Sequence, residues 1–325
     1  MALPDTYRAF VLDQQRQLAR LVRQNGIAPI KKLYEDMLAE VTRKLGVSAA
    51  GSFSDVQLRG MLAQIKLGLA TIQHPAAGAL NEAAFQTALA GARASLEAVA
   101  RLERQFTGAL VPLPLLETAR LNGLVKGQTS SLLTAHEISI ARYGTRMVGR
   151  MEQALGASIA AGETTTQAID RITATGEMEW WQGERIVRTE LAYSTSASTR
   201  EAIEAQSEEL DGDLWMRWTE HVSDDGQALD DRVGVDSEAM HGQVTPPGGM
   251  FTQPPAAPDG EDVAAGLAGQ SWSHPPNRPN DRSVLMPWRA HWGVPGWIWL
   301  EGRRTPATEK LVEEMTGQRQ RRRAG

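Results

Sequence analysis

Two groups of residues in this sequence are of types that do chemistry. The first is Asp231 and His241, with His221 or Asp230 close by in sequence. Carboxylate oxygen and imidazole nitrogen both ligate zinc, and an open fourth position would activate water for hydrolysis. A buried Asp–His pair that pins two loops together uses the same residues. No compact His-Glu-x-x-His spacing is present and the six histidines are scattered, so the expectation is a structural pair without a metal. The second group is Arg188-Thr189-Glu190, on a predicted helix with Arg185 close by. Such a cluster could line an active site. Glu184 and Arg188 stand at i,i+4, the register of a helical ion pair, and ion-pair networks often imitate sites. The structural reading is preferred here too.

The commoner catalytic signatures are missing. There is no Gly-x-Ser-x-Gly elbow and no phosphate-binding Gly-x4-Gly-Lys-Ser/Thr loop. The absence of cysteine excludes disulfides, thiolate metal sites and thiol nucleophiles. No cofactor is expected. Pro275-Pro276-Asn277-Arg278-Pro279-Asn280 reads as a rigid loop, because proline fixes φ and asparagine forms side-chain turns. Arg278 and Arg282 are placed to brace it by donating to backbone carbonyls. Trp288, Trp292, Trp297 and Trp299 could stack on nucleic-acid bases; core packing beneath a small sheet is the preferred account, since aromatics bring the most buried area per residue. Arg319, Arg321, Arg322 and Arg323 end the chain. They make either a solvated terminus or a contact for DNA phosphates.

The elements that must position these residues fall into two compositional halves. All nine tryptophans lie at or after Trp180, and prolines crowd the stretch from Pro246 to Pro295. Before that, apolar residues recur at helical spacing. One helix carries Phe10, Val11, Leu18, Leu21 and Val22. A second opens at Pro29 and stops at Gly46. A third is capped by Ser54 and is expected to end at His74-Pro75. A fourth holds Phe85, Leu89, Leu96, Val99 and Phe106 and breaks at Pro112–Pro114. Each apolar stripe needs a cover, either another stripe or another protein. The helical pattern resumes at Thr129 and stops at Ala160-Ala161-Gly162. Thr164–Thr166 then reads as a capped restart toward Ile169 and Ile172, and a further helix fits Trp181–Gln206. Leu214–Thr219 and Gly296–Leu300 have the aromatic content of strands, and glycine and proline punctuate the loops between them. The tail from Thr305 has the pattern of a helix. The expected fold class is α+β: an N-terminal all-helical region over 1–128, then over 129–302 a helical segment and a small sheet with long loops, and a basic tail over 303–325.

Four segments, in order, resemble the phage head morphogenesis family, the Mu F-like minor head proteins. They are Ala160-Ala161-Gly162-Glu163-Thr164-Thr165-Thr166 with its following helix, and Arg185-Ile186-Val187-Arg188-Thr189-Glu190. The third is Arg217-Trp218-Thr219 followed by Leu229-Asp230-Asp231-Arg232-Val233 and Met240-His241-Gly242. The fourth runs from Pro275 through Pro279, Asp281 and Arg282 to Leu285. The resemblance covers Thr129 to Trp288, roughly half the chain. It departs from the family where two closing cysteines are replaced by Asp281 and Ser283, and where His241-Gly242 lacks the usual spacer. It implies a structural role for Arg188, Thr189, Glu190, Trp218, Asp231, His241, Gly242, Pro279 and Arg282. It further implies a minor virion protein inside the capsid, assembled in the host cytoplasm. The implied partners are the portal protein, the major capsid or scaffolding protein, and packaged double-stranded DNA bound without sequence preference.

Bulk properties constrain the alternatives. The 325 residues suggest two domains, and 42% hydrophobic with 22% charged residues describes a chain able to bury cores. A net charge of −5 argues against a whole-molecule nucleic-acid binder, leaving only a local patch. The opening MALPDTYRAFVLDQQ has no basic stretch before an apolar core, so no signal peptide is expected. No run of about 18 apolar residues marks a membrane span. The competing reading is an enzyme delivered with the virion, a metal-dependent hydrolase or an ADP-ribosyltransferase-like transferase, built on Arg188–Glu190 and Asp231–His241.

Overall fold

The helical spacing of the first half is realised in long helices. Helix α1 (Asp5–Leu21) passes through one π-helical stretch, Val22–Ile27, into α2 (Ala28–Gly46). Then come α3 (Asp55–Thr107), α4 (Thr118–Ser131), α5 (Leu133–Ala160) and α6 (Thr165–Glu209). The second half adds β1 (Trp215–Thr219), α7 (Val235–Met240), β2 (Val244–Thr245), β3 (Phe251–Thr252), β4 (Ser271–Trp272), β5 (Val284–Trp288), β6 (Trp297–Leu300) and β7 (Arg303–Pro306). This computed structural model describes residues 5–46, 55–108, 116–210, 213–220, 234–257, 260–277, 281, 283–293, 297–300, 303–308 and 310–314. The fold is α+β: mostly helical, with small antiparallel sheets and loops.

Several boundaries differ from the sequence expectation. Pro75 does not end a helix; it lies inside the 53-residue α3. An interior proline costs a hydrogen bond and a ring clash, about 3 kcal/mol. The turns just after it bury Ala76, Ala77, Leu80, Ala83 and Ala84 almost completely, and that packing holds the helix through the break. The two helices expected between Thr164 and Gln206 are one, α6. Its start is a reciprocal cap: Gln167 N donates to Thr164 Oγ1 at 3.3 Å and Thr164 N donates to Gln167 Oε1 at 2.9 Å. Gly162, at φ +66°, closes α5 where only glycine is at ease, and its N–H donates to Ile159 O. Helical structure resumes before Thr129, at Thr118 in α4, and the stretch expected from Thr129 to Ala160 divides between the end of α4 and α5. Residues Thr305 and Pro306 belong to strand β7, paired with β6, rather than to a helix.

Two compact units result, interleaved along the chain. One comprises Met1–Arg20, Phe85–Thr129 and Ala192–Gly325; the other comprises Leu21–Ala84 and Ser130–Leu191. The expected division at 128/129 falls inside α4, and each unit draws on both sides of it. In the first unit the sheet has the order β2-β1-β5, with Trp215 opposite Trp288 and Trp218 opposite Leu285. Its main core joins Tyr7 and Val11 of α1, Val99 and Leu102 of α3 and Ile203 of α6 to Met216, Trp218, Phe251, Met286 and Trp292. Trp215, Val244, Trp288 and Val312 form a second cluster. In the second, helical unit, Tyr34, Tyr143 and Trp180 pack with ring centroids 5.1 to 6.3 Å apart.

The apolar stripes of the first helices are therefore largely consumed by the chain itself. Tyr34 and Met61 are buried, while Phe10, Leu18 and Phe106 pack on the core of the first unit. Trp288 and Trp292 are core residues, as preferred from sequence; the side chains of Trp297 and Trp299 lie outside the description.

One carboxylate ties α3 to the end of the sheet. Glu103 Oε2 accepts from Trp292 Nε1 at 2.9 Å and lies 3.1 Å from Arg289 Nη1 and 3.0 Å from His291 Nε2. Arg289 also donates from Nε to Asp213 at 3.1 Å. Removing one member of a mostly buried charged network leaves the others uncompensated. Glu103→Ala is expected to lower unfolding free energy by about 2–4 kcal/mol, against less than about 0.5 kcal/mol for the exposed Glu97→Ala. Urea denaturation of both variants checks this; equal effects would contradict it.

Candidate functional site

The residues singled out from sequence separate into two places and a remainder outside the described residues. Asp231, Pro279, Arg282, Arg319, Arg321, Arg322 and Arg323 belong to that remainder, as do His221, Asp230 and Arg278. Trp218, His241 and Gly242 come together in the first unit. Arg188, Thr189 and Glu190 stand on α6 in the second.

In the first unit the turn after α7 returns the chain to β1. Gly242 adopts φ +85°, a left-handed conformation that favours glycine. Its N–H donates to Trp218 O at 2.9 Å, and Trp218 N donates to Gln243 O at 2.9 Å. His241 Nδ1 accepts from Glu220 N at 3.1 Å, so Nδ1 carries no proton and the neutral ring is protonated on Nε2. Gln243, fully buried, clamps the backbone of Thr252 from both amide atoms, at 2.9 and 2.6 Å.

The closing segment joins the same network. Asp281 accepts from Asn277 N at 3.1 Å and from Ser283 N at 2.9 Å, so one carboxylate folds the loop onto itself. Ser283 Oγ lies 2.6 Å from Asp281 Oδ1 and 2.5 Å from Glu220 Oε2. Asn277 Nδ2 donates to Gln253 Oε1 at 2.9 Å, and Gln253 Nε2 donates to Asp236 O at 2.9 Å. Glu220, Ser237, Gln243, Gln253, Asn277, Asp281 and Ser283 are all buried. Buried polar groups of this kind must be paired, and here they are paired with one another and with loop backbone. Among the described residues, no group of three or more His, Asp or Glu side chains is arranged to hold a metal ion.

This network was only partly legible. Trp218, His241 and Gly242 stand out in the sequence, as do Asp281 and Ser283 at the positions of the family's cysteines. Glu220, Asp236, Ser237, Gln243 and Gln253 carry no motif of their own. Their sole signal is adjacency: Glu220 follows β1 and Gln243 follows His241-Gly242.

On α6, three consecutive residues meet three different environments. Arg188 is half exposed and pairs with Glu184, as its spacing implied. Thr189 Oγ1 donates to Arg185 O at 2.8 Å. Glu190 turns inward, accepting from Ser139 Oγ at 2.6 Å with Oε2 3.9 Å from His136 Nε2. Burial raises the Glu190 carboxyl above its usual range, an effect that the Ser139 bond reduces. Burial pushes the wholly enclosed His136 down to about 4.

Compared with known protein families, with curated proteins and with solved structures, the chain matches none.

Two outcomes are expected from this geometry. His241→Ala leaves the Glu220 N–H without its acceptor and should cost about 1–3 kcal/mol of stability in chemical denaturation; an unchanged midpoint would remove His241 from the network. For His136 the folded pKa lies below the unfolded value of 6.5, so the unfolded state binds more protons between pH 6.5 and 4. Its contribution is present above pH 6.5 and lost as pH falls toward 4, by about 2 kcal/mol on reaching pH 5. Glu190, shifted upward, acts in the opposite sense: acidification relieves the cost of its buried charge. His136→Gln should therefore flatten the fall in unfolding free energy between pH 7 and pH 5, whatever its effect at neutral pH. Parallel pH profiles for the two proteins would contradict this.

Proposed function

We propose that this protein is a bacteriophage minor head protein, a structural and assembly component held at the portal inside the capsid, and not an enzyme. The observation that carries the reading is the ordered set of family-like segments from Ala160 to Leu285. Its support in three dimensions is that Trp218, His241, Gly242, Asp281 and Ser283, drawn from separate segments, share one hydrogen-bonded network. A motif set kept for architecture should behave in this way, with polar atoms spent on holding loops. Asp281 and Ser283, at the positions of the family's cysteines, close their loop through hydrogen bonds. The basic end, with Arg319, Arg321, Arg322 and Arg323, supplies up to four contacts for the phosphates of packaged DNA. The portal protein is the principal partner, with the major capsid or scaffolding protein beside it.

The test is co-expression of the full chain with a phage portal protein from the same genome, followed by size-exclusion chromatography. The full chain is required, because Tyr7 and Val11 share a core with the sheet and deleting 1–128 would open it. Co-elution with the portal ring is expected, at up to one copy per portal subunit if each offers an equivalent site. Separate elution of the two folded proteins would overturn the proposal.

A further inference from the structure

Helix α6 carries a stripe that the fold does not cover. Ala174, Met178, Trp181, Arg185 and Arg188 follow one another at intervals of four, three, four and three residues. That is the spacing of a helix–helix seam. The core side of α6 is occupied by Trp180, Gly183 and Val187, all buried, and the stripe faces away from them. Met178 is 67% and Trp181 56% exposed, although the preceding Trp180 is enclosed. The guanidinium of Arg185 lies 5.6 Å from the centre of the Trp181 ring. Tryptophan, methionine and arginine are the residues most enriched where protein surfaces meet, with charged groups at the rim.

The charges of this stripe identify the occupant. Asp170 and Glu177 lie N-terminal to Trp181; Arg185 and Arg188 lie C-terminal to it. Among the described residues Asp170, Glu177 and Arg185 form no ion pair within the chain, while Arg188 pairs with Glu184. A parallel copy would set Glu177 against Glu177. An antiparallel copy, related by a two-fold axis at Trp181, sets Glu177 level with Arg185 of its mate and brings the acidic half of each stripe to the basic half of the other. A two-fold interface demands such self-complementarity, residue i meeting j and j meeting i.

We propose that the outer face of α6 from Asp170 to Arg188 is a two-fold interface for a second copy of this chain, with the two α6 helices antiparallel about Trp181. This inference rests on the geometry of α6 alone and stands apart from the portal reading. Sedimentation equilibrium of the full chain over a concentration series tests it. The wild type is expected to dimerise reversibly, and Trp181→Ala to weaken the dimer about tenfold or more. Glu177→Arg and Arg185→Glu should each weaken it, and the double variant, which exchanges the two charges, should recover most of the loss. Glu177 and Trp181 are exposed and Arg185 is partly exposed, so the three positions tolerate substitution, and circular dichroism confirms that the variants stay folded. A wild type that is monomeric at every concentration would overturn the proposal. So would a dimer indifferent to Trp181→Ala, or a double variant no stronger than the singles.

Discussion

A single tyrosine near the start of the chain holds the first helix to the last strand of the three-stranded sheet. Tyr7 is buried, and its hydroxyl donates to Pro287 O at 3.1 Å across 280 residues of sequence. The guanidinium of Arg217, in the central strand, lies 5.5 Å from the centre of the same ring. A buried guanidinium is costly unless compensated, and the electron-rich face of the ring is one form of compensation. Burial also raises the tyrosine pKa, so the phenol stays a donor. Pro287 fits because β5 is an edge strand, where a missing N–H costs no ladder hydrogen bond.

From that constraint the rest of the first unit follows. With α1 fixed on the sheet, α3 and the end of α6 complete the core around Met216, Trp218 and Met286. Glu103 anchors α3 to the far end of β5 through Arg289, His291 and Trp292. The loops between strands have little regular structure of their own. They are held by amide and carboxylate side chains: Gln243 on Thr252, Asn277 on Gln253, Asp281 on its own loop. In a chain without cysteine this hydrogen bonding does work that a cross-link or a metal does elsewhere. Each bond contributes only about 1 kcal/mol net, but leaving its partner unsatisfied would cost more, so the network is strongly cooperative in outcome.

The second unit is built differently. It is helical, and its centre is apolar and aromatic: Tyr34, Tyr143 and Trp180, with Ile65, Met147, Met151 and Leu155 fully buried. Its exceptions include the buried His136 beside Glu190, the buried Ser158, Thr165 and Gln182, and the uncovered Trp181. Gly26 and Gly176 mark close helix approaches: a methyl group at Gly26 would lie 2.5 Å from Leu191 Cδ1, and one at Gly176 2.7 Å from Leu38 Cδ1. The first unit thus adds polar stitching around a small sheet to its apolar core, while the second rests on close helix packing.

The sequence by itself determined what is local. Amphipathic spacing identifies the helices, aromatic runs identify β1 and β6, the threonines Thr164–Thr166 mark a capped start, and Glu184–Arg188 stands out as a pair. These interactions span at most four residues, so composition and spacing suffice to read them. Tertiary structure decided the rest. It carried α3 through Pro75, because burial of the alanines beyond outweighs the local penalty. It joined two expected helices into α6, made Thr305 and Pro306 a strand by pairing them with β6, and interleaved the two units instead of placing them end to end. It also chose the members of the polar network, where Ser283 meets Glu220 63 residues away and Asn277 meets Gln253 24 residues away. Which glutamine or asparagine is buried depends on the path of the whole chain, and no local periodicity encodes that path.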